Sequence, residues 1–316
     1  MRMLTFCTVL WALSFPVMKA LALAQQQLLP GANSAFLTSL GVLYRFGLAG
    51  LVMLAVTARE LGSISRRELE QGIVLAGFGG LGIWFQMDGL SYTPASTSAF
   101  LTQSYCIFIP LWLALVSRRF PPVKQCACIL LVVGGVWVLA GLNLHSLKLG
   151  RGELETLIAS LLFSGQIMTL ERPRYAGNRP LLFSTIMFLA MAGLCLPLVW
   201  ATVPAPADCL RAYASPAAAI CLAVLVVFCT LGAYIFMNRW QPFVTSTEAG
   251  LIYCLEPVLA SLLALFLPAW ISGWAGLNYP NETLTQRLLI GGGLITTANV
   301  LLQSPWLEFN RSKPPA

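Results

Sequence analysis

The sequence holds one histidine, His145, and only 12 acidic residues among 316. Charged side chains make up 10% of the chain. Acid–base catalysis would therefore fall to carboxylates alone. His-Glu-x-x-His, Gly-x-Ser-x-Gly and paired-aspartate motifs are missing, which excludes the usual intramembrane hydrolases. The glycine runs 77–82, Gly134-Gly135 and 291–293 lack the lysine and the strand context of a phosphate cradle, and their expected use is close helix contact. A Walker motif is also missing, so transport driven by this chain's own ATP hydrolysis is excluded. The nine cysteines are scattered. Cys126-Ala-Cys128 has neither the spacing nor the second ligand pair of a zinc site. No metal, cofactor or enzymatic activity is expected.

Apolar residues are abundant: 58% of the chain, with a mean hydropathy of +0.78. That composition describes a polytopic membrane protein. Crossing a bilayer takes about 20 apolar residues per helix. Ten stretches qualify, near 3–24, 36–58, 72–92, 95–117, 122–142, 153–171, 181–202, 216–238, 247–270 and 286–304. They are long continuous runs, which favours helices over a barrel. The first begins like a signal peptide after Met1-Arg2 but continues past Pro16 and Lys19 without a clear cleavage site, so it is expected to be retained.

The net charge of +7 suggests a nucleic-acid partner until its distribution is read. With a cytoplasmic N-terminus, thirteen basic residues fall in inner segments: Arg2, Arg59, Arg66, Arg67, Arg118, Arg119, Lys124, Arg172, Arg174, Arg179, Arg239, Arg311 and Lys313. Only Lys148, Arg151, Arg211 and Arg287 fall outside. This bias predicts ten spans with both termini cytoplasmic, and no nucleic-acid partner.

Residues 74–101 recur at 224–251. Val74, Leu75, Phe78, Leu81, Gly82, Met87, Ser96, Thr97, Ala99 and Leu101 each reappear 150 positions later, ten identities in 28 ungapped positions. Apolar bias alone gives roughly one in eight. Each copy lies in a five-span half, and an odd-numbered unit leaves its repeat inverted in the membrane. The fold expected is therefore all-α, with ten transmembrane helices as two inverted five-helix repeats at 1–147 and 148–306 and a short cytoplasmic tail at 307–316. Inverted repeats around a polar site are the physical signature of alternating access. A channel or a receptor needs no such duplication.

Charges at membrane depth need a partner, a water-filled cavity or an escape to the interface. Glu256 lies near mid-depth of span nine, directly before Pro257, which frees a backbone carbonyl one turn back. It reads either as a substrate or proton site or as a carboxylate locking two helices together. Arg45, near mid-depth of span two, suits a solute carboxylate or serves as counter-ion to Glu256 or Asp88, with the structural role favoured. Lys19 is expected to snorkel to the outer interface. Asp88 and Asn238 occupy equivalent repeat positions near opposite faces, as gates or as helix-end caps. Trp84, Gln86, Gln103, Tyr105, Tyr234, Tyr253 and Asn299 are polar or amphipathic residues inside spans, and a minority of them is expected to touch solute. Pro16, Pro110 and Pro257 are the expected helix discontinuities.

Several segments resemble the drug/metabolite transporter superfamily: Trp11-Ala-Leu-Ser-Phe-Pro-Val-Met-Lys19, Tyr44-Arg45-Phe46 and Ala95-Ser-Thr-Ser-Ala-Phe-Leu-Thr102. Residues 246–257, Ser-Thr-Glu-Ala-Gly-Leu-Ile-Tyr-Cys-Leu-Glu-Pro, resemble its EamA-type branch. The resemblance implies a ten-helix inner-membrane carrier, many relatives of which export amino acids or related metabolites. It also implies a central cavity lined by the first four helices of each half. Such proteins often carry a glutamate before the fifth span. Glu282 stands there in the second half, whereas Arg118-Arg-Phe-Pro-Pro122 in the first half has no acid. The expected partners are a small-molecule solute, the lipid bilayer and a coupling proton, with sodium coupling and uniport as alternatives. Other amphipathic solutes, such as drugs or sugar-like metabolites, are the alternative cargo. The oligomeric state expected is monomer or homodimer.

Overall fold

The computed structural model describes residues 2–118, 123–139, 149–244 and 246–303. All regular structure among them is helical. The first half contributes α1 (Arg2–Leu28), α2 (Ser34–Thr57), α3 (Arg66–Gly89), α4 (Ala95–Thr102), α5 (Tyr105–Ser117) and α6 (Val123–Leu139). The second contributes α7 (Arg151–Leu170), α8 (Pro180–Thr202), the single turn α9 (Asp208–Arg211), α10 (Pro216–Val224), a π-helical stretch (Leu225–Gly232) and α11 (Ala233–Trp240). It ends with α12 (Ser246–Tyr253), α13 (Leu255–Ala264), α14 (Leu267–Ala275) and α15 (Gln286–Gln303). The half boundary at 140–148 and the tail from 304 onward lie outside the described residues.

Local chemistry sets the helix starts. Asn33 caps α2 by accepting from the Ala35 amide at 3.0 Å. Ser65 and Glu68 form a capping box at the start of α3, each side chain taking the other's backbone N–H. Pro180 and Pro216 open α8 and α10, where a missing N–H costs nothing.

Each of the ten apolar stretches falls on helix, but length and composition qualify fewer as spans. Four single helices pass: Arg2–Leu28, Ser34–Ser63, Pro180–Thr202 and Pro216–Phe243. The bent pair α13 and α14, 48° apart, makes a fifth. The others fall short for local reasons. Charges crowd the first turns of α3, and the fourth stretch is broken into α4 and α5 at Gln103-Ser104. Two proline expectations are corrected. Pro16 lies inside an unbroken α1, and Pro110 lies within α5, six residues beyond the break at Ser104. Only Pro257 adjoins a discontinuity, at Cys254.

Helices of the two halves interleave. α2 packs on α8, α3 lies against α7 and α8, α6 pairs with α15, and α1 touches α10, α11 and α13. Glycines permit the closest of these contacts. Phe78 covers Gly165 while Phe163 covers Gly82, so α3 and α7 each seat a ring in the other's notch. A Cβ at Gly135 would lie 2.8 Å from the Gly291 carbonyl, and the reverse also holds, so α6 and α15 meet backbone to backbone. Leu51, Val56, Leu115, Leu130, Trp200 and Trp270 are among many large apolar side chains left exposed, as lipid contact requires.

Candidate central cavity

A π-helical stretch misaligns the backbone ladder and leaves groups free to take side chains. The stretch at Leu225–Gly232 does this for Arg45. The arginine donates through Nε to Thr230 Oγ1 at 2.7 Å and through a terminal nitrogen to the Cys229 carbonyl at 3.2 Å. Its other terminal nitrogen lies 3.2 Å from Met18 Sδ, and the guanidinium stands over the Phe46 ring. Only 1% of Arg45 is exposed. Of the two roles expected for Arg45, the counter-ion role has no support in an ion pair with any described carboxylate. Asp88 instead takes Arg151, together with the Thr38 hydroxyl at 3.1 Å.

Pro257 lacks the N–H that would bond the carbonyl of Tyr253, four residues back. That carbonyl accepts from Gln103 Nε2 at 2.8 Å, and the same amide nitrogen lies 3.5 Å from Glu256 Oε2. Gln103 sits at the α4–α5 break and Tyr253 at the end of α12, so the two helix discontinuities touch. Ser160 of α7 satisfies the Thr102 carbonyl at the first break, at 2.8 Å. Glu256 is buried and has no described cation as a partner.

These groups surround one central cavity. Of the residues singled out in the sequence, Arg45, Gln86, Tyr105, Tyr234, Tyr253 and Glu256 line it. Gln103 stands just behind its wall. Trp84 does not line it and donates to Ser39 Oγ at 2.8 Å instead. Asn299 is buried on α15, away from the cavity. Sequence reasoning missed Trp11, Gln166 and Phe163, which also form walls. Gln166 is a polar residue well inside span six, and the rule used for the other spans would have found it. Trp11 stacks edge-on against Tyr234 and Tyr253, with centroids 5.6 and 5.3 Å apart.

Two further spaces flank this cavity along α3. A small one lies at the Asp88 end, beside Thr38 and Met87. A larger one lies at the Glu68 end, among Gln71, Arg172, Arg179 and Asn238. Ion pairs clamp α3 to the second half at both ends. Asp88 binds Arg151, which also holds Glu155 at 2.8 Å and the Tyr92 hydroxyl at 2.8 Å. At the other end Glu68 binds Arg179 at 2.7 Å, and Glu70 pairs with Arg174. Arg179 beside it, with the amide of Ser65, holds the Glu68 carboxyl down at about 2. Asn238 is fully buried and donates to Ser184 Oγ at 2.9 Å, so it forms no ionic clamp of its own. Lys19 reaches the C-terminal end of α3, where its ammonium donates to the Leu90 and Thr93 carbonyls at 2.6 and 2.8 Å. Glu282 accepts from the Ala95 amide at 2.7 Å and from Ser96, capping α4 from across the molecule.

Residues 3–141 match the model of the EamA-like transporter family. A protein of Archaeoglobus fulgidus described as an uncharacterized transporter is 25% identical over 191 residues, 60% of this chain and 58% of its own length. The similarity thus spans less than two thirds of that relative. One solved crystal structure aligns with a TM-score of 0.57 at 16% identity, covering 93% of this chain and 95% of the other. That likeness concerns the fold alone.

Proposed function

We propose that this chain, whose residues 3–141 match the EamA-like transporter family model, is a secondary-active inner-membrane carrier of the drug/metabolite transporter superfamily. It exports amino acids or related small metabolites by alternating access. The observation that carries this reading is the central cavity, where a buried carboxylate and a buried guanidinium face one space without pairing with each other. An α-amino acid has the complementary pair of charges: its ammonium suits Glu256 and its carboxylate suits the remaining N–H groups of Arg45. The aromatic walls suit an apolar side chain. An isolated carboxylate at such a site costs several kcal/mol, so between solutes Glu256 takes a proton, and proton coupling follows.

The same reading has ten spans, both termini in the cytoplasm, and inverted repeats at 1–147 and 148–306. The packing supports the inversion. Gln103 and Tyr253 are repeat equivalents 150 positions apart, and they bond to each other, as residues beside a two-fold axis do. The contacts α2–α8 and α6–α15 pair equivalent spans, and α3 on α7 is mirrored by α1 on α10 and α11. Reconstitution into liposomes with labelled amino acids and an imposed pH gradient tests the proposal. Saturable uptake with counterflow is expected. Non-saturating, solute-independent ion current would replace the carrier with a channel.

A further inference from the structure

Most polar groups that line the central cavity are satisfied within the protein. Ser14 donates to the Trp11 carbonyl, Gln86 to Thr102 Oγ1, and the Tyr253 hydroxyl to Gln241. Arg45 is held as described above. Three fully buried donor atoms are the exception: Trp11 Nε1, the Tyr105 hydroxyl and Gln166 Nε2 have no hydrogen-bond partner among the described residues. They come from three helices, α1, α5 and α7, and all three residues face the same space. Tyr105 and Gln166 are 3% and 2% exposed, so bulk water does not serve them. Room for the Gln166 amide depends on Gly79, where a Cβ would stand 2.8 Å from Nε2. Donors left unpaired inside a protein are costly, and a cavity that keeps three of them is shaped for something that accepts.

Resting on the carrier reading above, we propose that Trp11, Tyr105 and Gln166 determine the specificity of this cavity. They select solutes that carry oxygen acceptors beside the cationic group bound by Glu256. A lipophilic amine of the same size offers its ammonium to Glu256 but leaves all three donors bare. A site built to hydrogen-bond strongly rejects an analogue that lacks the bonding group, because its own polar atoms then stay unpaired. The cavity is therefore closed to hydrocarbon-bodied cations and open to amino-acid-like solutes, their esters and amides included.

Phenylalanine methyl ester and phenethylamine test this selection. Both carry one positive charge and one ring, and only the ester carries neutral acceptors, so the charge on Arg45 does not bias the comparison. Affinities are read by ligand-induced thermal stabilisation of the purified full-length protein in detergent. Wild type is expected to prefer the ester by about tenfold or more, one net hydrogen bond being worth up to about that factor. Gln166→Leu, Trp11→Phe and Tyr105→Phe retain bulk, and each should weaken ester binding while sparing phenethylamine. The triple variant should bring the ratio close to one. Equal loss of both probes in the variants marks the three residues as structural and overturns the inference, as does a wild type without preference. Either result leaves saturable transport in liposomes, and with it the carrier reading, intact. Failure of wild type to bind either probe overturns the solute class and this inference together.

Discussion

Glu256 and Glu68 are both carboxylates with little exposure, and their surroundings give them opposite duties. Glu68 has Arg179 and a backbone amide, so it stays charged and holds α3 to the second half. Glu256 has one long contact from an amide and no cation among the described residues, and in the proposed cycle its charge state changes with what enters the cavity. Glu256→Gln keeps the shape and removes the titration. That variant should fold, reach the membrane and lose coupled transport by about tenfold or more, the scale of a hydrogen bond to a charged group. Its residual uptake should vary less with pH, and uptake measured across a pH series reads both effects. A wild-type rate and pH profile would remove Glu256 from the mechanism. For Glu68 the sign runs the other way from a buried, unpaired acid. Its folded pKa of about 2 lies below the ordinary 4.5, so its stabilisation is complete above about 4.5 and fades as the pH falls toward 2. Glu68→Gln should lower the melting temperature at pH 7, and the gap from wild type should close on acidification through that window. A gap that stays constant down to pH 2 would mean the pair contributes nothing through ionisation.

Helices and their breaks differ in how well the sequence announces them. Among the described residues every long apolar run is largely helical, because about 20 apolar residues have no better way to satisfy their backbone in lipid. Pro257 stands three residues beyond the break at Cys254. The matching break at Gln103-Ser104 has no proline or glycine. It depends on Ser160 reaching the Thr102 carbonyl and on Gln103 turning toward Tyr253, both of which are tertiary events. The π-helical stretch that anchors Arg45 is equally silent in sequence, and this is why Arg45 was read as a counter-ion. Trp11 was visible only as part of a family motif, since an apolar stretch does not tell a cavity wall from a lipid face. Pro257→Ala tests the designed break. Restoring the N–H gives Tyr253 a local partner and removes up to about 3 kcal/mol of proline penalty, against about 1 kcal/mol for the displaced Gln103 bond. The variant should therefore melt higher and turn over more slowly, as thermal unfolding and liposome uptake on one preparation will read. Faster turnover would show that the discontinuity does not assist the cycle.

Across the whole molecule, α3 works as a strut tied to the opposite half at both ends. Its 24 residues span about 36 Å, so the Asp88–Arg151 and Glu68–Arg179 clamps stand at opposite ends of the helix, near opposite membrane faces in the proposed topology. A carrier that exposes its cavity to one side at a time must open one clamp while the other holds. Register with Asn238 singles out Asp88 in the sequence, while the ion pair at the other end of α3 is made by Glu68 rather than by Asn238. Register alone does not reveal this, because Arg179 lies in a connection between spans and meets α3 only in three dimensions. Removing one clamp should bias the protein toward opening at that end, by about tenfold for a coupling of ordinary size. The reporters are single cysteines in a cysteine-free background, Leu37→Cys in the space beside Asp88 and Leu170→Cys in the space beside Arg179. Asp88→Asn should speed labelling at position 37 and slow it at position 170, and Glu68→Gln should do the reverse. The opposed signs are the informative part. General loosening accelerates both reporters in both variants, and that result would deny the two ends any reciprocal motion.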